Sequence, residues 1–177
     1  MQSGLHCARQ GTPPGFRGFS LARAAVAGVV LLMVGLAIGS SVVNAQTAIS
    51  VSVSADLRFG DIVPGSTSGT VTIDPAGART VSGGVIALGE SYGAASFTVS
   101  GEPGYSYTVT LPLSATLASG TNSMVVDTFT SSLDPDGVGT LDANGNGTFT
   151  VGATLHVDAG QAPGTYSGSF DVSVDYQ

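Results

Sequence analysis

The sequence is poor in the residue types that most chemical sites need. It contains no tryptophan and no lysine, one cysteine (Cys7) and two histidines (His6 and His156). A single cysteine excludes a disulfide framework and a thiolate metal cage. Two histidines leave little material for a metal site or for acid–base catalysis. The length of 177 residues corresponds to about one domain.

Charge is scarce and unevenly placed along the chain. Charged residues make up 10 % of the sequence, with five arginines against twelve acidic residues. Three of the arginines lie in the first 23 residues, whereas every acid lies at Asp56 or beyond. A chain this acidic lacks the basic surface that contacts phosphate backbones, which excludes nucleic-acid binding.

The first 45 residues have the organisation of a secretory leader. The three early arginines precede an uncharged, mostly apolar run over residues 24–38, and small and polar residues follow. This order is typical of a signal peptide, and we predict cleavage between Ala45 and Gln46. The alternative is an uncleaved membrane anchor, but the run is short of the roughly 20 residues that cross a bilayer. We therefore predict a signal peptide helix in residues 1–45 and one domain over residues 46–177.

Removal of the leader would change the composition of the protein. Residues 46–177 hold two arginines and twelve acids, a formal charge of −10, and no cysteine. An exported domain without disulfides depends on packing and backbone pairing for its stability. A chain of this size can bury one hydrophobic core.

The rest of the chain reads as short strands separated by turns. Apolar and polar residues alternate over residues 49–59, 105–111, 149–157 and 169–176. A period of two is typical of half-buried strands, and no stretch shows a sustained helical period. Seven to nine such strands with Gly- and Pro-rich turns predict an all-β antiparallel sandwich.

One segment resembles a calcium loop. Between Asp134 and Asn146, the stretch that begins at Asp142 reads D-x-N-x-N-G. The twelfth position of such a loop supplies a bidentate Glu, but here it is Ala153, and no helices flank the segment. The paired Asn-Gly steps favour a hairpin tip, and calcium binding remains the open alternative.

The sequence offers no catalytic pattern. There is no G-x-S-x-G elbow, and no pair of carboxylates stands apart from the other acids. His156 lies between two apolar residues of an alternating run, so we expect it to face solvent. We expect a non-enzymatic protein without a cofactor or a metal.

The C-terminal segment suggests assembly through strand pairing. It has a glycine fourteen residues from the end and a penultimate tyrosine, and this combination resembles the C-terminal signature of chaperone–usher subunits. The candidate assembly residues here are Gly164, Tyr166, Phe170, Val172, Val174 and Tyr176. Such a strand can be completed by a strand from a chaperone or from the next subunit. The alternative is a last strand that pairs inside a closed sandwich.

The first alternating run could take the complementary role. Ile49, Val51 and Val53 alternate with serines, as a donated strand would require. The same segment could instead be the first strand of its own domain. The sequence leaves both possibilities open.

Several segments taken together resemble an uncharacterised family of exported bacterial β-domains, a domain of unknown function. These segments are residues 57–65, the Gly83-Gly84 step, 95–101, 152–155 and 162–168. A more distant likeness extends to spore coat protein U and pilin-like secreted proteins, through the shared L-x-F-G…P-G opening and P-G-x-Y-x-G closing motifs. The resemblance implies an immunoglobulin-like sandwich in a Gram-negative-type envelope, in the periplasm, at the cell surface or in a fimbria.

Two functions fit these observations. The first is a structural subunit of a coat or fimbria that assembles by strand complementation with like subunits or an assembly chaperone. The second is a monomeric envelope module that binds a glycan or a protein through loops bearing Tyr92 and Tyr105. Neither requires nucleic acid, nor a membrane span after cleavage of the leader.

Overall fold

The computed structural model describes residues 2–7, 46–133 and 135–177, and these residues contain no helix. The twelve strands are β1 (Gln2–Cys7), β2 (Ser50–Ala55), β3 (Leu57–Ile73), β4 (Arg79–Leu88), β5 (Ala95–Ser100), β6 (Ser106–Thr110), β7 (Ser114–Ser119), β8 (Asn122–Ser131), β9 (Val138–Thr140), β10 (Asn146–Val157), β11 (Tyr166–Phe170) and β12 (Ser173–Tyr176). Residues 2–7 of the predicted leader form strand β1 and not a helix, whereas its apolar run and Ala45 lie outside the described residues. In the described part of the chain, no helix is long and apolar enough to span a membrane.

The strands form two sheets. The larger has nine strands in the order β2-β5-β10-β8-β7-β11-β1-β3-β4, and the smaller has three in the order β12-β6-β9. All pairings are antiparallel except that of β1 with β11, which is parallel. The predicted all-β sandwich is confirmed.

The larger sheet closes on itself. Strand β10 also pairs with the C-terminal half of β3, from Ala153 opposite Ile73 to Val157 opposite Gly69. Strands β10, β8, β7, β11, β1 and β3 therefore form a closed circuit. Strands β2, β5 and β4 remain outside this circuit, and β2 and β4 are the two edges of the sheet.

Aromatic rings join the two sides of the core. Phe97 of β5 stacks on Phe149 of β10 with ring centroids 5.0 Å apart, and these two residues are register partners. Phe170 of β11 contacts Phe97 edge-on at 6.2 Å and Phe129 of β8 at 5.0 Å. Such pairs add to the free energy gained by burying the rings. Their packing fixes β11 relative to β5, β8 and β10.

Two of the alternating runs each divide into two strands. The run over residues 49–59 breaks at Asp56, where the pairing partner changes: β2 pairs with β5, whereas β3 pairs with β1, β4 and β10. The C-terminal run breaks after Phe170, because β11 belongs to the larger sheet and β12 to the smaller. The prediction of one unbroken C-terminal strand is therefore wrong. Strands β1, β7 and β9 were not predicted, and the twelve described strands outnumber the expected seven to nine.

Candidate functional site

The position of β1 is the most unusual feature of the fold. This six-residue strand lies between residues 57–61 of β3 and strand β11, antiparallel to the former and parallel to the latter. We call this position, with its two walls, the β1 slot. Strand β1 comes from the segment that the sequence predicts to be a cleaved leader. Without β1, the backbone groups of both walls that face the slot would have no strand partner.

The two walls of the slot contain two of the five segments on which the family resemblance rests. The L-x-F-G motif begins at Leu57 in one wall, and the P-G-x-Y-x-G motif ends at Gly168 in the other. Leu57, Phe59 and Tyr166 are completely buried. Nothing in the sequence marks these two motifs as parts of one site. Their separation of about a hundred residues hides their adjacency, which only the sheet order reveals.

The β3 wall contains a bulge. Its register against β1 shifts between Gly60 and Arg58, and Gly60 has a φ of +80°, a conformation that favours glycine. The guanidinium of Arg79 donates hydrogen bonds to the carbonyl oxygens of Phe59, Leu88 and Gly89, at 3.3, 3.4 and 2.8 Å. One of the two arginines of residues 46–177 therefore holds this wall in shape.

The opposite wall is fixed by its own loop. The hydroxyl of Tyr166 donates to the carbonyl oxygen of Ala162 and accepts from the amide of Gln161, both at 2.8 Å. Both bonds satisfy the buried hydroxyl. Gly164 lies in this loop rather than in a strand, next to Ser119. Tyr166 and Phe170 thus belong to the slot, whereas Gly164 lies in the turn that leads into it.

The last candidate residues lie away from the slot. Val174 and Tyr176 belong to β12, which pairs with β6 in the smaller sheet, and Val172 lies between β11 and β12. Val172, Val174 and Tyr176 are half-buried against the core. The structure thus separates the C-terminal candidates into two groups in different sheets.

Tyr176 closes a ring of three hydrogen bonds that we call the Tyr176 clamp. Its hydroxyl donates to the carbonyl oxygen of Thr47 at 2.7 Å and accepts from the backbone N–H of Glu102 at 2.5 Å. The Glu102 carboxylate accepts from the N–H of Thr47 at 3.0 Å, and this bond holds the pKa of Glu102 below its ordinary value. The clamp attaches the segment that leads into β2 to the smaller sheet. Gln46, the predicted first residue after cleavage, is exposed beside it.

Strand β2 carries the candidate donor residues Val51 and Val53, and Ile49 immediately precedes it. It pairs with β5 alone and forms one edge of the larger sheet. Val53 is 40 % exposed, while Ile49 and Val51 are half-buried against the core. In this conformation β2 is a strand of its own domain, held at an exposed edge.

In the segment that resembles a calcium loop, the carboxylate of Asp142 binds backbone N–H groups. Asp142 Oδ1 accepts hydrogen bonds from the N–H groups of Asn144 and Asn146, both at 2.8 Å. Both bonds lower the pKa of Asp142, and the bond from Asn146 has the larger effect. The predicted tight turn is present, but it is not a hairpin tip, because β9 and β10 belong to different sheets. Asp134 lies outside the described residues, and the described part of the chain holds no group of three His, Cys, Asp or Glu residues that could bind a metal ion.

His156 is exposed, as predicted, and has one acidic neighbour. Its Nε2 lies 2.8 Å from Asp127 Oδ1, and this hydrogen bond lowers the pKa of Asp127. The side chains are 47 % and 37 % exposed, so the pair lies in solvent rather than in a cleft. It has the character of a surface pair.

The two candidate ligand-binding tyrosines contact different elements. The ring of Tyr92 lies under the Arg79 guanidinium at 4.0 Å and lines a shallow depression with Asp56 and Arg58. Tyr105 is 48 % exposed and contacts the ring of Tyr176 edge-on at 5.7 Å. The described contacts therefore do not bring Tyr92 and Tyr105 into one site.

Comparison with known proteins identifies the family and gives no function. No curated protein and no solved structure shows a significant match to the chain. One family model, described as a domain of unknown function (DUF4402), matches residues 49–176. The match covers β2 to β12 and both walls of the slot, but not β1. The chain therefore belongs to the DUF4402 family.

Proposed function

We propose that this protein is a non-enzymatic, exported structural subunit of a Gram-negative-type envelope that assembles by β-strand complementation. The β1 slot carries the proposal. A strand from outside the family-matched residues completes the circuit of strands, and it belongs to the predicted leader. The assembly partners are like subunits or an assembly chaperone.

Export would leave the slot without its strand. The basic region of a signal peptide stays on the cytoplasmic side of the membrane while the following domain crosses it. Strand β1 would then be separated from β3 and β11, and both walls would be exposed strand edges. Such an edge pairs readily with a strand of another chain. The likeness to spore coat protein U and pilin-like subunits belongs to this proposal and rests on the motifs that form the two walls.

The composition supports an assembly role over catalysis. Residues 46–177 carry a formal charge of −10 and no cysteine, and the carboxylates of Glu102, Asp142 and Asp127 accept hydrogen bonds from backbone or surface groups. A completed strand circuit would add stability that disulfides cannot supply here. Location in the periplasm, at the cell surface or in a fimbria follows from the predicted leader.

The test uses the full chain, exported with its own leader from a Gram-negative host. Mass spectrometry of the exported protein should find Gln46 as the first residue. Gel electrophoresis in SDS without heating should show multimers that become monomers after boiling. A matched variant, Ala45→Phe, should block cleavage and reduce the multimers.

A peptide competition examines the slot directly. A synthetic peptide of residues 1–8, added during refolding of the exported protein, should reduce multimer formation, and a scrambled peptide should not. An exported protein that stays monomeric and does not bind the peptide would contradict the proposal.

The depression beside Tyr92 favours a second candidate, a monomeric envelope module that binds a glycan or a protein. Asp56, Arg58 and Tyr92 place two charges and an aromatic ring together at one exposed position. Screening of the exported protein against a glycan array, with Tyr92→Ala and the control Tyr105→Ala, tests it. Binding lost in the Tyr92 variant alone would favour this function over assembly.

A further inference from the structure

Strand β2 and the residue before it alternate between apolar and polar residues, and this alternation would suit the inner face of the β1 slot. A strand seated in the slot has alternate positions opposite Tyr166, Gly168 and Phe170, which lie on the inner side of β11. Residues directly opposite one another share a face of the sheet. Apolar residues at every second position of an occupant, with polar residues between them, would therefore pack against this inner side. Ile49, Val51 and Val53 have this spacing, with serines at 50, 52 and 54.

The attachment of β2 to its own domain is slight. It pairs with β5 on one side only, and five of its six residues are exposed. Three of its serine hydroxyls make hydrogen bonds to β5, all at exposed positions: Ser50 and Ser52 at 3.5 and 3.4 Å to carbonyl oxygens, and Ser54 at 2.9 Å to Thr98 Oγ1. The Tyr176 clamp adds a further attachment at Thr47. In the slot, the same strand would have two neighbours instead of one and would bury its valines.

The connection of β2 to β3 suits donation to another molecule. Only Asp56 separates β2 from Leu57, the first residue of the β3 wall. When β2 detaches from β5, it becomes an N-terminal extension that leaves the domain directly beside its own slot. The slot of a neighbouring copy would then lie within reach of this extension.

We propose that residues 49–54 of one copy fill the β1 slot of the next copy, parallel to β11 and antiparallel to β3. This inference rests on the proposed function and names its donor. Ile49, Val51 and Val53 would lie opposite Tyr166, Gly168 and Phe170. Because each copy gives a strand at one surface and receives one at another, the contact is head-to-tail and produces a filament or a ring.

Engineered cysteines test the donor in trans. Cys7, the only cysteine, is replaced by serine, and two exported chains are produced together, one with Ser52→Cys and one with Ser169→Cys. In the proposed register Ser52 lies opposite Ser169, on the solvent side. Oxidation should yield a disulfide-linked dimer that contains one chain of each kind. The matched partner Ser167→Cys should crosslink to Ser52→Cys at least tenfold less, and a preference for Ser167 would overturn the proposed orientation.

A second variant holds β2 in its own domain. Ser52 and Thr98 are register partners of β2 and β5, so Ser52→Cys with Thr98→Cys in one chain should form an internal disulfide. Multimers should then disappear under oxidising conditions and return on reduction. Formation of this internal disulfide also shows that the domain of the variant has folded.

The possible results distinguish a wrong donor strand from a wrong proposed function. Multimers without the Ser52–Ser169 crosslink, or multimers that survive the internal disulfide, would overturn the donor and leave strand complementation standing. A third chain carries both Ser52→Cys and Ser169→Cys. If this chain forms the disulfide internally while the two single-cysteine chains form no dimer, β2 fills its own slot and the proposal is overturned. The absence of multimers in every variant, including the unmodified protein, would overturn both.

Discussion

The hydroxyl of Tyr176 donates a hydrogen bond to the carbonyl oxygen of Thr47 across 129 positions of the sequence. Glu102 links to both residues, so the three form a closed ring of hydrogen bonds. The ring joins the last strand, the loop after β5 and the segment that leads into β2. A change at any of the three residues should therefore affect the attachment of β2.

Replacement of Tyr176 by phenylalanine should destabilise the protein by about 1–2 kcal/mol, because the variant loses the bond to Thr47 and leaves the N–H of Glu102 without its acceptor. Urea unfolding measures the effect. Tyr105→Phe is the matched control: its ring contacts Tyr176, and its hydroxyl makes no hydrogen bond in the described part of the chain. We expect a change below about 0.5 kcal/mol there. Equal effects of the two variants would contradict the role of the clamp.

The Tyr176→Phe variant should also assemble faster. If β2 is donated, Thr47 must leave the clamp before its strand can reach a neighbour, so Tyr176→Phe removes one barrier. The rate at which heat-labile multimers appear after refolding should rise several-fold, although the domain itself is less stable. Slower assembly in this variant than in the Tyr105→Phe control would count against donation of β2.

Acid should weaken the domain through three carboxylates. Hydrogen bonds lower the pKa values of Glu102, Asp127 and Asp142 in the folded protein, so the unfolded chain binds more protons than the folded chain at low pH. This stabilisation is fully present above the ordinary values of 4.5 for Glu and 3.8 for Asp, and it is lost as the pH falls through the lowered values. Thermal melts at successive pH values should show a Tm that falls below about pH 4. In His156→Ala, NMR titration should show the pKa of Asp127 nearer its ordinary value, and an unchanged titration would contradict the pair.

Alternation predicted most of the strands, because the burial of one face imposes a period of two on the sequence. It could not show that the alternating run of residues 49–59 changes its partner at Asp56, since the side-chain pattern continues through the change. Strand β7 was missed because its sequence, SATLAS, has no aromatic residue and only Thr116 as a β-branched residue, so little in its composition marks a strand. The placement of β1 could not be predicted either, because Gln2–Cys7 does not alternate and lies in a leader-like segment.

The candidate site was only partly predictable for a related reason. Tyr176 was identified from its place near the end of the chain, but its bonds to Thr47 and Glu102 depend on contacts that no local pattern encodes. The slot walls were visible as motifs, and their adjacency comes from the strand order alone. The sequence pattern therefore indicates β2 as a possible donor but does not show the position that would receive it.

Asp142 should be needed for its acceptor oxygen rather than for a metal ion. Asp142→Ala removes the acceptor of two backbone N–H groups and should lower the Tm by several degrees. Asp142→Asn keeps a side-chain oxygen in the same place and should restore most of the loss. Millimolar calcium should not change the Tm of the unmodified protein, because Ala153 stands where a calcium loop supplies its bidentate Glu. A calcium-dependent rise in Tm that Asp142→Ala abolishes would show that the segment binds the ion.

Two glycines that both lack a positive φ should respond differently to alanine. A Cβ at Gly152 would meet the backbone of Ile73 and Asp74, which the pairing of β10 with β3 holds in place. Gly152→Ala should therefore cost about 1–3 kcal/mol in urea unfolding. A Cβ at Gly164 would meet the Oγ of Ser119 at 2.5 Å, and this hydroxyl can rotate away. Gly164→Ala should change stability by less than about 0.5 kcal/mol, since reduced freedom of the unfolded chain offsets the contact. If Gly164→Ala proved as damaging as Gly152→Ala, the turn before β11 would be far more rigid than its contacts imply, and the β11 wall of the slot would depend on it.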